Sequence, residues 1–283
     1  MFPIPDVIPG DVTRWIVGFL LAMIVAFAGF RTRSLSASGA ITAVATGGLL
    51  VGAGGWWSGL LLVAFFVSSS ALSRAWPKRI TAGTRIRQAR GHRRDAVQVL
   101  ANGAVPVICA LAAVSVADPV PWLVAAASAI AGATADTWAT EIGRASSSSP
   151  RSIVSGRRMA PGTSGAVSGI GTMGSAAGAV MIAVLAAAGA ATNVWANVAA
   201  PSIFVVVAVA GLAGALLDSV LGATVQGIWR CPACNETSES PRHQCGSAAR
   251  LVRGIAFVDN DIVNALAIAG AAGAGMLVMS LLR

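Results

Sequence analysis

Charge is what this chain lacks most. Only 11% of its 283 residues are Asp, Glu, Lys or Arg, against about 25% in a soluble globular domain. Hydrophobic residues make up 55% of it, and the mean hydropathy is +0.74. That deficit excludes a soluble enzyme with a single anchor, because apolar runs approaching the ~20 residues that cross a bilayer recur from end to end. The sequence contains no G-x-x-x-x-G-K-S/T, so any nucleotide is held without a Walker P-loop. No small-residue cleavage site follows the first apolar run; Asp6 and Asp11 precede it and an arginine-bearing loop comes after, so it reads as a retained span. Nor is there a full-length internal repeat or a stretch that reads as a separate soluble domain.

What is present points to an all-α fold, a polytopic transmembrane helical bundle of about eight spans with Gly/Ala-rich packing, 1–283 forming one membrane domain. The expected spans are 15–30, 38–54, 57–72, 96–116, 122–140, 167–190, 201–226 and 261–282, with 38–54 the weakest and open to a re-entrant reading. Small-xxx-small spacings such as Gly47, Val51, Gly55 and Gly174, Gly178 suit close helix approach. Basic residues test the count. Of the 20 Lys and Arg, 18 fall in loops of one parity: Arg31 and Arg33; Arg74 to Arg94; Arg144 to Arg158; and Arg230 to Arg253. The opposite loops carry none, so the positive-inside rule predicts an inner-membrane protein with basic loops in the cytoplasm and both termini outside. The net charge of +9 is explained by topology and anionic lipid headgroups, and nucleic acid is not expected as a partner.

The few polar residues of the apolar runs gather near the basic loops. With residues three to four apart sharing a helix face, Asp136, Thr140 and Gly143 align, with Glu141 a turn away. Asp95, Gln98 and Asn102 form a second stripe, Asp218, Gly222 and Gln226 a third, and Asn260 and Asn264 a fourth, behind Asp259 and Asp261. Isolated polar residues can simply cap helices or bond between them; four stripes at one level predict a shared polar site. Carboxylates and amides suit Mg²⁺, a hard cation that bridges carboxylates and substrate phosphates. Arginines nearby would clamp phosphoryl charge. The run PGTSGAVSG has the composition of an anion-binding turn, with Gly162 and Gly165 admitting close approach, Thr163 and Ser164 offering hydroxyls and a helix N-terminus following.

Cys231, Cys234, His243 and Cys245 have the spacing CPAC–x8–HQC within 227–253. Three readings stand: structural zinc, reduced thiols without metal, and a redox pair. A disulfide is disfavoured in a reducing compartment, and four protein ligands leave no open position for a catalytic zinc. Cys109 reads as core packing and His92 as a solvated loop residue. Ser146–Ser149 read as a flexible linker.

The segments from Ser34 to about Asn264, in order SLSASGAITAVATGGLLVGAGGWWSGLLLVAFFVSSSALSR, RRDAVQVLANG, ATADTWATEIG, RRMAPGTSGAVSGIGTMGS, LLDSVLGATVQ, CPAC…HQCG and FVDNDIVN, resemble the integral membrane family that includes plant phytyl-phosphate kinase. The resemblance implies phosphorylation of an isoprenoid (phytyl- or geranylgeranyl-type) monophosphate to the diphosphate by a nucleoside triphosphate. A looser likeness to phytol and dolichol kinases, with PGTSG where those carry a lysine-led turn, implies CTP or another NTP such as ATP with Mg²⁺. On this reading Asp136 and Glu141 hold Mg²⁺, helped by Asp218 and by Asp259 or Asp261. Arg157, Arg158 and Gly162, Thr163, Ser164 and Gly165 bind phosphates, with Thr140, on the Asp136 stripe, as a further substrate or nucleotide contact. Arg93, Arg94, Asn102 and Asn260 grip the acceptor phosphate, Gln98 and Asn264 bind substrate or nucleotide, and the prenyl tail lies among apolar helices open to lipid. The competing class is a transporter or flippase for an isoprenoid phosphate or other anion, which would place its polar residues near the midplane. Chain length of the prenyl group, the nucleotide and the oligomeric state are left open.

Overall fold

The computed structural model describes residues 12–75, 93–144, 149–196, 198–243 and 245–283. The basic residues of 78–90, His92, Asp6, Asp11 and the serines of 146–148 lie outside them. Among the described residues seven α-helices dominate: α1 Val12–Arg31, α2 Ala37–Ala75, α3 Ala96–Ala113, α4 Val120–Gly143, α5 Gly169–Ala188, α6 Ala200–Thr224 and α7 Asn260–Leu281. Six stretches of the described residues, all the helices but α4 with a 3₁₀ turn extending α5, are long and apolar enough to cross a membrane.

α2 is two limbs, not one rod. Its 39 residues would span nearly 60 Å if straight, at about 1.5 Å per residue. Yet Arg74, at its end, donates to the carbonyl of Thr32, just before its start, and to the Ser34 hydroxyl. The chain doubles back at Gly55, whose φ of 80° and ψ of 175° lie where a side chain is strained. The limbs 37–54 and 56–75 therefore coincide with the second and third expected spans, and the described chain shows eight helical segments at the eight expected positions.

α4 is the centre. Every residue from Leu123 to Ala135 is buried, and the helix packs against α2, α3, α5, α6 and α7. A helix enclosed on all sides has no polar face to keep, and its Ala, Gly, Ser and Thr side chains let neighbours come close. A Cβ at Gly178 of α5 would sit 3.0 Å from the Thr134 carbonyl oxygen, and one at Gly174 would sit 2.9 Å from Ile142. The expected Gly174/Gly178 packing is thus the α4–α5 contact. Large apolar side chains such as Phe27, Ile41, Met173 and Val209 project outward from the bundle instead.

The two ends differ in kind. One end joins the basic loops: Ser36 and Arg94 exchange backbone bonds with one another's segment, Ser73 donates to Glu141 at 2.9 Å, and the 151–167 and 226–258 segments pack over α6. The other end has Trp57 donating to the Leu185 carbonyl and Arg283 paired with Asp118 at 3.2 Å. Among the described residues five short strands, absent from the all-α expectation, decorate the basic end: β1 Arg151–Ser152 pairs with β2 Ala166–Val167, and β3 Ile228–Arg230 lies between β4 Thr237–Ser238 and β5 Arg250–Arg253.

Candidate carboxylate site and its surroundings

Four helices converge on one small polar cavity. It is lined by Asn102 of α3, Asp136 of α4, Asp218 of α6 and Asn264 of α7, with Gly132, Ala133, Gly214, Ala267 and Ile268. Small residues bring these helices together: a Cβ at Gly214 would meet Ala271 at 2.7 Å, and one at Gly132 would meet the same methyl at 3.0 Å. The volume is about 10 Å³, room for roughly one water or one bare cation. Asp136 and Asp218 face each other across it, close enough to share a hydrogen bond. With its amide nitrogen turned to the acceptors, Asn264 donates to Asp218 Oδ1 at 2.9 Å and to the Asn260 carbonyl at 3.2 Å. Asn102 donates to the Gln98 carbonyl at 2.8 Å.

The donor set fits a hard divalent cation. Two carboxylates that face each other repel unless a proton or cation lies between them, and oxygen donors from Asp and Asn are the ones Mg²⁺ takes. The cavity is set deeper than the helix ends: Asp136 lies about 10 Å inside Gly143, the last residue of α4, at about 1.5 Å per residue.

Several sequence-predicted residues stand elsewhere. Glu141 does not line the cavity; it accepts from Ser73 and pairs with Arg144 at 3.3 Å. Arg94 stacks over Phe65 and Phe66, 5.4 and 5.9 Å from their centroids; burial lowers its pKa, partly opposed by Glu141. Arg93 and Thr140 are exposed at the same end. Asp95 and Gln98 are a reciprocal capping box on α3. Asp259 caps α7 by accepting from the backbone of Asp261 and Ile262, and Asn260 opens that helix. These caps satisfy backbone donors that a helix start leaves open, which is why Asp95, Gln98 and Asp259 sit where they do.

A helix N-terminus follows the PGTSGAVSG run, as expected: α5 begins at Gly169, β2 lies between the 161–165 turn and the helix, and Ser168 caps the helix by accepting from Gly171. Gly165, at φ 78°, lies so close to α6 that a Cβ would meet Ala223 at 2.4 Å. The turn is thereby docked on the helix that carries Asp218. Thr163 donates to the Ala160 carbonyl, and Ser164 donates to Glu239 at 2.5 Å. Gly162, at φ 82°, faces open space, and Arg157 and Arg158 are exposed on the same loop.

Cys231, Cys234, His243 and Cys245 come together. Their ligand atoms all lie within 4.8 Å of one another, with Cys231 buried. Hydrogen bonding to Ser247 and then His243 pushes the Cys245 thiol down to about 5. The four donors are a separate constellation from the carboxylate cavity.

A family model described as "Integral membrane protein DUF92" matches residues 20–272. The chain belongs to the DUF92 family. It is 28% identical to Protein PGR of Arabidopsis thaliana over 275 residues, covering 90% of this chain and 92% of that one. It is 29% identical over 213 residues to an uncharacterized membrane protein of Methanocaldococcus jannaschii, MJ0933, covering 74% and 82%. No solved structure matches. The integral membrane family to which the motif series pointed is therefore the right one, and this DUF92 member is a multi-pass membrane protein.

Two residues near the site escaped the sequence reading. Glu239 sits in a polar loop without periodicity, and only the fold sets it against Ser164. Arg253 donates to the Gly222 carbonyl at 2.8 Å and to that of Ser164 at 3.4 Å; burial lowers its pKa, with Glu239 opposing. Neither carries a local motif.

Proposed function

We propose that this DUF92 protein is a Mg²⁺-dependent kinase that phosphorylates an isoprenoid monophosphate to its diphosphate, acting from the basic, cytoplasmic end. The observation that carries the reading is the convergence of Asp136, Asp218, Asn102 and Asn264 from four helices on a cavity of one-cation size. Asp136 and Asp218 would hold Mg²⁺ with help from the two amides; when bound, the cation supplies charge neutralisation to phosphoryl oxygens. Glu141, Asp259 and Asp261 lie outward of the cavity, where they bear on the entry of a second cation or of substrate.

The transfer balances without a base. A P–O bond to the acceptor monophosphate oxygen forms, the bond between the γ-phosphorus and its bridging oxygen breaks, and the nucleoside diphosphate leaves. The acceptor is already an anion, so no proton must be removed. Arg157 and Arg158, exposed on the 151–167 loop, and the open Gly162 turn would receive nucleotide phosphates. Arg93, Gln98 and Asn260 stand at the same end to meet the acceptor. The outward apolar side chains give the prenyl tail an environment like lipid.

The purified protein in liposomes, given γ-labelled CTP or ATP and phytyl or geranylgeranyl monophosphate, tests this directly. Label appearing in a prenyl diphosphate only when Mg²⁺ is present is the expected result. Passage of prenyl phosphate across the bilayer, with no transfer from any nucleotide, would replace the kinase with a transporter.

A further inference from the structure

The donors of the 227–253 segment take no part in phosphoryl transfer, yet their arrangement is specific. We infer that Cys231, Cys234, His243 and Cys245 bind one structural zinc ion, and that this zinc clamps Glu239 and Arg253 onto the 161–165 turn beside the helix of Asp218. The zinc stands apart from the kinase reading; only the importance of its position rests on that reading.

Distances match a single tetrahedral ion. Zn–S bonds of about 2.3 Å set neighbouring sulfurs about 3.8 Å apart, and Cys231 Sγ and Cys245 Sγ are separated by 3.6 Å. His243 turns Nδ1 toward the cluster, 3.2 Å from Cys245 Sγ. Its other nitrogen, Nε2, lies 3.4 Å from a Glu236 carboxylate oxygen, the outer partner that orients a metal-bound imidazole. All four donors within 4.8 Å is too compact for a cluster of two irons with bridging sulfides, and four sulfur and nitrogen ligands favour zinc. The Cys231 turn is the tight knuckle such an ion requires: Asn235 donates back to the Cys231 carbonyl at 2.9 Å with its own φ at 56°.

The segment needs a clamp. Its strands are two to four residues long, and a sheet so small is not independently stable in water. Most of its side chains are exposed, so there is no hydrophobic core to replace the ion, and a structural metal is the usual staple in that case. The hold matters because of what the strands carry. Cys231 directly follows β3, Glu239 directly follows β4, and Arg253 ends β5. Through them the segment grips the Ser164 hydroxyl and the Ser164 and Gly222 carbonyls. Releasing the ion would free both contacts at once.

The test uses the full chain, purified in detergent without chelator. Elemental analysis should find one zinc per chain, lost in Cys231→Ser and in Cys234→Ser. Hydrogen exchange read by mass spectrometry, before and after chelation of the wild type, should quicken in 227–253 and in 161–166 together, with α1 to α3 unchanged. Absence of zinc in the wild type, or its retention in Cys231→Ser, overturns the site. Quickened exchange confined to 227–253 overturns the clamp. Metal content is measured without any nucleotide, so zinc-bearing protein with no transferase activity would sink the kinase and leave the zinc standing.

Discussion

Replacing Asp136 by asparagine separates a cation site from a buried polar contact. The amide has the shape of the carboxylate, so the α4 backbone and its packing against α5 and α7 are undisturbed. In the cavity it can donate to Asp218, removing a repulsion between facing carboxylates. Without metal, D136N is therefore expected to be as stable as the wild type or more so. Cation binding should suffer. Loss of a ligand from so small a donor set costs at least the 10- to 100-fold typical of a supporting residue, about 1.4–2.7 kcal/mol, and turnover should fall by roughly 100-fold or more. A melting series reads the same event without substrate. At a Mg²⁺ concentration of about 100 times its Kd the wild type gains about 2.7 kcal/mol, roughly 5–10 °C at ~2–4 °C per kcal/mol. D136N should gain little, and D136N/D218N should lose no more activity than either single change, since the two act as one unit. Wild-type turnover in D136N, or an equal Mg²⁺ response in both proteins, would refute the assignment of Asp136 as a ligand.

Other substitutions probe the surroundings. Gly165→Ala should destabilise by about 3 kcal/mol, combining the left-handed φ with a clash against Ala223, whereas Gly162→Ala, at a similar φ but in open space, should cost about 1 kcal/mol; equal melting shifts would remove the docking of the turn on α6. Asp95→Ala should cost about 1 kcal/mol through loss of the α3 cap with Mg²⁺ binding intact; a large change in Mg²⁺ response would move Asp95 into the site. Arg283→Cys, in a background lacking the other thiols, should react with an impermeant reagent from outside the cell alone, and labelling only from within would reverse the orientation drawn from the basic loops.

The proposed function gives a reason for carboxylates held about 10 Å inside the bundle. At that depth Asp136 and Asp218 are half-buried where α3, α4, α6 and α7 meet, and fixed charges act more strongly where water is scarce. Arg157 and Arg158 remain on the exposed 151–167 loop, outward of the carboxylates. On the proposed function, the cation would sit within the helices and the nucleotide at their rim.

Periodicity and composition determined much of this protein. Apolar runs set eight helical segments, because a chain in lipid must satisfy its backbone bonds within each segment. Basic residues in alternate loops set which helix ends lie together. The spacing of Asp136, Asp218, Asn102 and Asn264 on separate helix faces identified residues that meet, since a carboxylate within an apolar run has few other reasons to be there. The cysteine spacing likewise named four donors that converge. Packing decided the rest. Only the three-dimensional fold shows that Gly55 turns α2 into a hairpin, that Asp95 and Asp259 serve as caps, that Glu141 pairs with Ser73 and Arg144, and that the PGTSG turn docks on α6. Glu239 and Arg253 reach that turn across loops of no regular period. A polar residue's partner near a helix end is fixed by which neighbour approaches it, and that information is spread over distant segments and not written beside the residue itself.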